Sequence, residues 1–210
     1  MADSAMRALS ILRDPAQFQW YVVPILVIVI FIYYNEIGKG NWSVVLAGLA
    51  LWGMDWFNEI VNSIIFHLNG FAPLWGAPAD TAYLILVGLN IEISMMFAIL
   101  GIAAVKLLPA DRSLKILGMP NRLFYALLNS VIAVGVEIVL NLAGALTWEF
   151  PFWSARFPLL IILFGYLHFF VVAYWVFDMD TLKKKFTAVG TIFAVDIALL
   201  LIFGVGLGWL

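Results

Sequence analysis

The run WSVVLAGLALWGMDWFNEIVNSIIFH, Trp42–His67, is long enough to cross a bilayer, yet its second half carries Asp55, Asn58, Glu59, Asn62, Ser63 and His67. A spanning helix needs about 20 mostly apolar residues. A charge at the bilayer centre costs about 2.5–3.5 kcal/mol even on lenient insertion scales. Asp55, Glu59 and Asn62 are four and three residues apart, with Asn58 and Ser63 beside them, so they share one helix face. That face is predicted to look into a bundle, which the rest of the chain has to supply.

The composition agrees. Of 210 residues, 65% are hydrophobic and 11% charged, and the mean hydropathy is +1.05; a soluble globule carries roughly 25% charged residues. Further apolar runs lie at Trp20–Tyr34, Thr81–Val105, Arg122–Thr147, Phe157–Phe177 and Phe186–Trp209. The expected fold is all-α, a polytopic membrane helix bundle of about six transmembrane helices forming a single domain over residues 1–210. Met6, Leu9 and Leu12 at helical spacing, with Arg7 and Arg13 beside them, predict a short interfacial helix before the first span. The first span has no small-residue cleavage site and reads as retained. No internal repeat is visible.

Lys39, Lys106, Arg112, Lys115, Arg122 and Lys183 to Lys185 fall on one side of the expected bundle, and Arg7, Arg13 and Arg156 on the other. This bias predicts an integral protein of a bacterial cytoplasmic membrane or an internal membrane, with both termini on the non-cytoplasmic side. Trp42, Trp75, Trp148, Trp153 and Trp209 lie near span ends, where amphipathic rings serve as interfacial anchors. His67 is expected at the interface too. A net charge of −2, with no basic cluster interleaved with aromatics, gives no case for a nucleic-acid surface. The absence of cysteine excludes disulfides, thiolate metal ligands and cysteine nucleophiles.

Five carboxyls lie inside predicted spans: Asp55, Glu59, Glu92, Glu137 and Asp196. None has a Lys or Arg at similar depth, so most are expected to be protonated, to share protons, or to hold an external cation. With the spans alternating in direction, Asp55, Glu92, Glu137 and His168 come to similar depth, and Asp55, Glu59, Glu92, Glu137 and His168 are predicted to line one cavity as its catalytic groups. Asn90 and Glu92 are two residues apart and point to nearly opposite sides of a helix. Trp56, Asn62, Asn90, Asn141, Tyr166, Phe170 and Tyr174 are the candidate substrate-binding residues, with Asn141 one turn beyond Glu137 and placed to hold its rotamer. Asn58, Asn62, Asn129 and Ser130 also have the ordinary role of polar contacts between membrane helices.

Aromatic residues make up 16% of the chain and share spans with the acids. An acid beside aromatic faces can protonate an apolar substrate and shelter the resulting carbocation. The pieces DWFNE, Asp55–Glu59, and GLNIEIS, Gly88–Ser94, resemble the acid-rich and Asn-then-Glu elements of the small integral-membrane terpene cyclases of meroterpenoid and indole-diterpene pathways. The resemblance implies proton-initiated cyclisation of an isoprenoid. It covers two short pieces only; the family's seven spans and its Asn-to-Glu spacing both differ from this chain.

The expected function is therefore general acid–base chemistry, a cyclisation or isomerisation, on an apolar lipid-phase substrate. The partners are an isoprenoid-like small molecule and membrane lipids, and homo-oligomerisation stays open. No cofactor is expected. A di-iron site would need a Glu-x-x-His pair on two helices, and the chain has none. Two other classes stay open: a proton- or cation-coupled transporter, against which the missing repeat and unbroken spans argue, and a subunit of a larger membrane complex.

Overall fold

The computed structural model describes residues 1–210 and is mostly helical (67%), with seven helices. These are α1 Asp3–Ile11, α2 Val22–Gly38, α3 Trp42–Asn69, α4 Ile91–Lys106 and α5 Asn121–Leu142, then α6 Pro158–Asp178 and α7 Leu182–Gly206. Four of them, α3, α5, α6 and α7, are long and apolar enough to cross a membrane. Where six spans are expected, α2 and α4 are shorter, with 17 and 16 residues. Two small antiparallel hairpins interrupt the helices, Leu84–Leu86 with Leu89–Asn90 and Lys115–Ile116 with Met119–Pro120.

The first hairpin corrects the expected span Thr81–Val105. Its apolar residues Leu84, Leu86 and Leu89 are buried in the protein, so they read as hydrophobic without spanning anything. The helix begins only at Ile91, where the Asn90 side chain accepts the Ile93 amide at 2.8 Å and satisfies one of the free donors of the first turn.

Helix α3 is the axis of the molecule and packs against α2, α4, α6 and α7. It has no proline and stops at Gly70, whose φ of 62° lets its amide close on the Phe66 carbonyl at 2.9 Å. Its crossing with α4 is backbone against backbone: a Cβ at Gly101 would lie 2.8 Å from the Gly48 Cα. Small residues permit such approach in membrane bundles. Helix α5 packs mainly on α6, and α4 and α5 diverge to leave a groove lined from both sides.

The two ends of the bundle differ in chemistry. At one, Glu36 is buried with Lys106 at 2.5 Å and the Asn41 amide at 2.7 Å. Arg122 grips Asp178 with two N–H groups at 2.9 and 3.0 Å, and Lys185 donates to Ser43 Oγ at 2.7 Å. At the other, α1 buries Ala5 and Ala8 against Phe66, Ala77, Leu84 and Val87. Its Met6 and Leu9, predicted as the apolar face, stay exposed. Arg13 donates to the Leu210 carbonyl at 2.6 Å, and His67 stacks on Trp209 at 4.6 Å. Both termini therefore sit at the end opposite the basic cluster.

Candidate functional site

On α3, Asp55, Glu59 and Asn62 are buried to 1%, 3% and 0% exposure, as their common face predicts. Asn62 acts as a clamp. Its Oδ1 accepts the Leu74 amide at 2.8 Å and its Nδ2 donates to the Trp75 carbonyl at 2.7 Å. This folds the segment after α3 back over the acids, and the Trp75 indole N–H then reaches Glu59 Oε1 at 2.7 Å. The same segment pairs Gly76 with Thr147 through two backbone hydrogen bonds of 3.0 and 2.8 Å, joining it to the chain beyond α5. Gly88 closes the arrangement from the hairpin: a Cβ there would come within 2.7 Å of Glu59 Oε2, Asn62 Nδ2 and Trp75 Cδ1.

Beside these contacts lies a part-open chamber of about 30 Å³. Asp55, Asn58 and Glu59 form one wall and Glu137 of α5 another, with Tyr166 and Gly165 of α6, Trp75 and Trp153 completing it. The two tryptophans stack at 5.8 Å with an interplanar angle of 26°. No Lys or Arg lines the chamber. Of these lining residues, Asp55, Glu59 and Trp153 each bury one polar atom, Oδ2, Oε2 and Nε1, without a hydrogen-bond partner in the protein. Residues Ile161–Leu167 of α6 are wound as a π-helix, a wide winding often found at functional sites. Asn58 donates to the Gly165 carbonyl of that segment at 3.3 Å.

Next to the chamber, the groove between α4 and α5 has a volume of about 150 Å³ and is walled by Met96, Leu100, Ile132, Val136 and other apolar residues. Chamber and groove share Ile93, Phe97, Glu137, Leu146 and Tyr166. Glu137 and Tyr166 thus stand at the boundary of a small polar space and a larger, mostly apolar one between α4 and α5. Phe97 and Tyr166 stack at 6.0 Å along this boundary.

The structure brings Asp55, Glu59, Glu137 and Tyr166 together, with Asn62 beside Glu59 as the clamp, and places the other predicted residues elsewhere. Glu92 lies in the first turn of α4, outside the chamber, where it accepts from Thr81 Oγ1 at 2.6 Å, from the Ala82 amide at 2.7 Å and from the Tyr21 hydroxyl. With a helix N-terminus at hand as well, its carboxylate ties Tyr21 of the α1–α2 connection to Thr81 and Ala82, just before the first hairpin. His168 does not line the chamber; its Nε2 meets Asn58 Oδ1 at 3.1 Å, one step behind. Asn90 is the α4 cap. Asn141 donates to the Leu146 carbonyl at 3.0 Å and shapes the end of α5 instead of holding Glu137. Phe170 and Tyr174 are core residues, the Tyr174 hydroxyl accepting from Asn129 at 2.7 Å. Trp56 points away from the acids and donates to Ser94 Oγ at 3.2 Å.

Trp75, Trp148 and Trp153 are the residues that the sequence reading assigns to the interface and the structure packs on the main core, Trp75 and Trp153 at the chamber itself. Asp196, buried at 3% with neither carboxyl oxygen bonded, lies on α7 against Gly53 of α3 and outside the chamber. No group of three or more His, Asp or Glu side chains is arranged to hold a metal ion.

Comparison with other proteins adds the membrane assignment. A family described as "Uncharacterized membrane protein family" matches residues 2–205. The chain belongs to this family. A relative described as "Uncharacterized protein" from Archaeoglobus fulgidus is 56% identical to this family member over 208 residues, 99% of each chain. A shorter protein of the same description and organism is 49% identical over 53 residues, 25% of this chain and 95% of its own length. No solved structure matches the chain. Membership and the four long apolar helices together make it an integral membrane protein.

Proposed function

We propose that this membrane protein is an enzyme that performs general acid–base chemistry on an apolar substrate drawn from the lipid phase. One observation carries the reading: Glu137 and Tyr166 are shared between a chamber lined by buried carboxyls and an apolar groove between α4 and α5, and in this reading the groove opens to lipid. A chain-like substrate lying in the groove meets Glu137 first. Glu137 is the proton donor, and Asp55 or Glu59 collects the proton released at the end of the reaction. The Phe97 and Tyr166 rings, stacked at the same boundary, shelter positive charge that develops on the substrate. Glu92 drops out as a donor because its oxygens are committed to Thr81, Ala82 and Tyr21.

The resemblance to the membrane terpene cyclases supplies the substrate class, an isoprenoid with carbon–carbon double bonds, and the initiating step, protonation of such a bond. The chain crosses the membrane six times in this reading, with α2 and α4 as short spans. The basic end faces the cytoplasm and both termini lie outside.

The test is solvent labelling. Purified protein in deuterium oxide is incubated with geranylgeraniol, with squalene and with total membrane lipid, and the extracted lipids are analysed by mass spectrometry. Protein-dependent incorporation of carbon-bound deuterium is expected. Glu137→Gln should stay folded and lose about 10²-fold or more of that incorporation, the scale of a lost general acid. Full incorporation by Glu137→Gln would remove Glu137 from the mechanism.

A further inference from the structure

The connection between α4 and α5 carries a leucine where neither the turn nor the core asks for one. Strand pairing sets Lys115 opposite Pro120 and Ile116 opposite Met119, so Leu117 and Gly118 alone make the turn. Both have positive φ, 52° and 81°, the arrangement of a two-residue turn that favours Asn-Gly or Asp-Gly. A leucine adopts this left-handed conformation only against strain from its Cβ. Its side chain is 84% exposed, more than any other large apolar residue of the chain, so packing within the protein does not explain it. The base of the hairpin, by contrast, is fixed. Asn121, fully buried, donates to the carbonyls of Asp111, Arg112 and Leu114 at 3.0, 3.2 and 2.7 Å, and Arg122 donates to the Pro109 carbonyl at 2.8 Å.

The surroundings of the tip are cationic and apolar. The eight Lys and Arg at this end of the bundle outnumber its four acids, Glu36, Asp111, Asp178 and Asp180. Those acids are taken by Lys106, Ser113, Arg122 and Lys184, which leaves the exposed Lys115 with no carboxylate partner. Leu107 and Leu114 are 62% and 44% exposed. Leu117 lies just before Asn121, the start of a helix long and apolar enough to cross a membrane, and the intervening chain reaches at most about 14 Å. We infer that the hairpin Lys115–Pro120 is a lipid anchor: Leu117 enters the acyl edge of the adjoining leaflet while Lys115 holds the phosphate of an anionic phospholipid. Such a surface is negatively charged above and apolar beneath, which matches both residues. A protein partner fits less well, because one leucine among exposed cations supplies little of the roughly 1,000 Å² that a stable interface buries. The anchor is independent of the reaction proposed above.

The test uses the full chain, which has no cysteine, with a nitrobenzoxadiazole fluorophore on Leu117→Cys. The same fluorophore on Asp180→Cys, a side chain 79% exposed at the same end, is the reference. Both proteins are reconstituted into phosphatidylcholine vesicles containing phosphatidylglycerol. A nitroxide near the start of the acyl chain should quench the Leu117→Cys label several-fold more than the reference, and aqueous iodide should quench it several-fold less. Equal iodide quenching at the two positions overturns the inference, since the tip is then in water. Shielding from both quenchers also overturns it and places the tip against protein. For the headgroup, nitroxide-bearing phosphatidylglycerol should quench the Leu117→Cys label at about one-fifth of the mole fraction that nitroxide-bearing phosphatidylcholine needs, the weight of one Lys at an anionic surface. Lys115→Gln in the same labelled chain should make the two lipids equal. Equal quenching before that substitution, or a preference that survives it, overturns the phosphate contact. Should Lys115→Gln fail to fold, raised salt, which screens the same charge, must remove the preference.

Discussion

Glu59 divides its two oxygens between different tasks: Oε1 takes the Trp75 indole at 2.7 Å, and Oε2 is left to the chamber. Trp75→Phe keeps the stack on Trp153 but strands Oε1 in a buried site, which should destabilise the protein by about 1–3 kcal/mol. Replacing both partners, as Trp75→Phe with Glu59→Met, should recover most of that loss, since no polar group is then left unmade. Thermal unfolding of the two variants in detergent checks this; equal destabilisation would mean the hydrogen bond has no structural weight. Much of this cluster is legible in the sequence, because Asp55, Glu59 and Asn62 recur at helical spacing. Trp75 and Trp153 are not. A tryptophan near the end of an apolar run suits an interface as well as a pocket, and only the backbone path chosen by the Asn62 clamp decides between them. Glu92 fails for a related reason: its depth depends on where α4 begins, and an Asn cap ten residues into an apolar run leaves no trace in hydropathy.

At the level of the elements, the α3–α4 crossing is the tightest joint. A Cβ on Gly101 meets the backbone of Gly48 at 2.8 and 2.9 Å, whereas one on Gly48 meets the side chains of Ile102 and Tyr33 first, at 2.7 and 2.9 Å. Side chains can rotate aside and a helix backbone cannot. Gly101→Ala should therefore destabilise by about 1–3 kcal/mol and Gly48→Ala by clearly less, as read from the detergent denaturation midpoint of each. The reverse order would show that α4 shifts as a whole to relieve the clash. Five of the helices could be read from apolar runs of adequate length, with ends marked by Gly70, Pro120, Pro158 and Thr181. The start of α4 could not, because a hairpin buried against protein and a helix buried in lipid ask for the same residues. The π winding of α6 has no sequence signal at all.

For the whole molecule, the contacts at the two ends set the successive helices α2 to α7 running in alternate directions. The chain has no cysteine, so single cysteines report their own position. With a membrane-impermeant maleimide on intact cells, Ser10→Cys and Ala155→Cys should react, while Ser113→Cys and Asp180→Cys should react only after permeabilisation. Reaction of all four from outside would break the alternating arrangement, and the inverse pattern would reverse the orientation. The shortness of α4 has one more consequence. Its 16 residues rise roughly 24 Å, against a hydrocarbon core of about 30 Å, so in the proposed six-span arrangement the lipid beside α4 is predicted to thin, or the helix to sink, to avoid hydrophobic mismatch. A thinner leaflet also brings headgroup water closer to Trp75 and the chamber beneath it. Bilayer thickness then becomes a control on the protein: reconstituted into phosphatidylcholines of rising acyl length, its turnover and thermal midpoint should both peak in short-chain lipid and decline as the bilayer thickens.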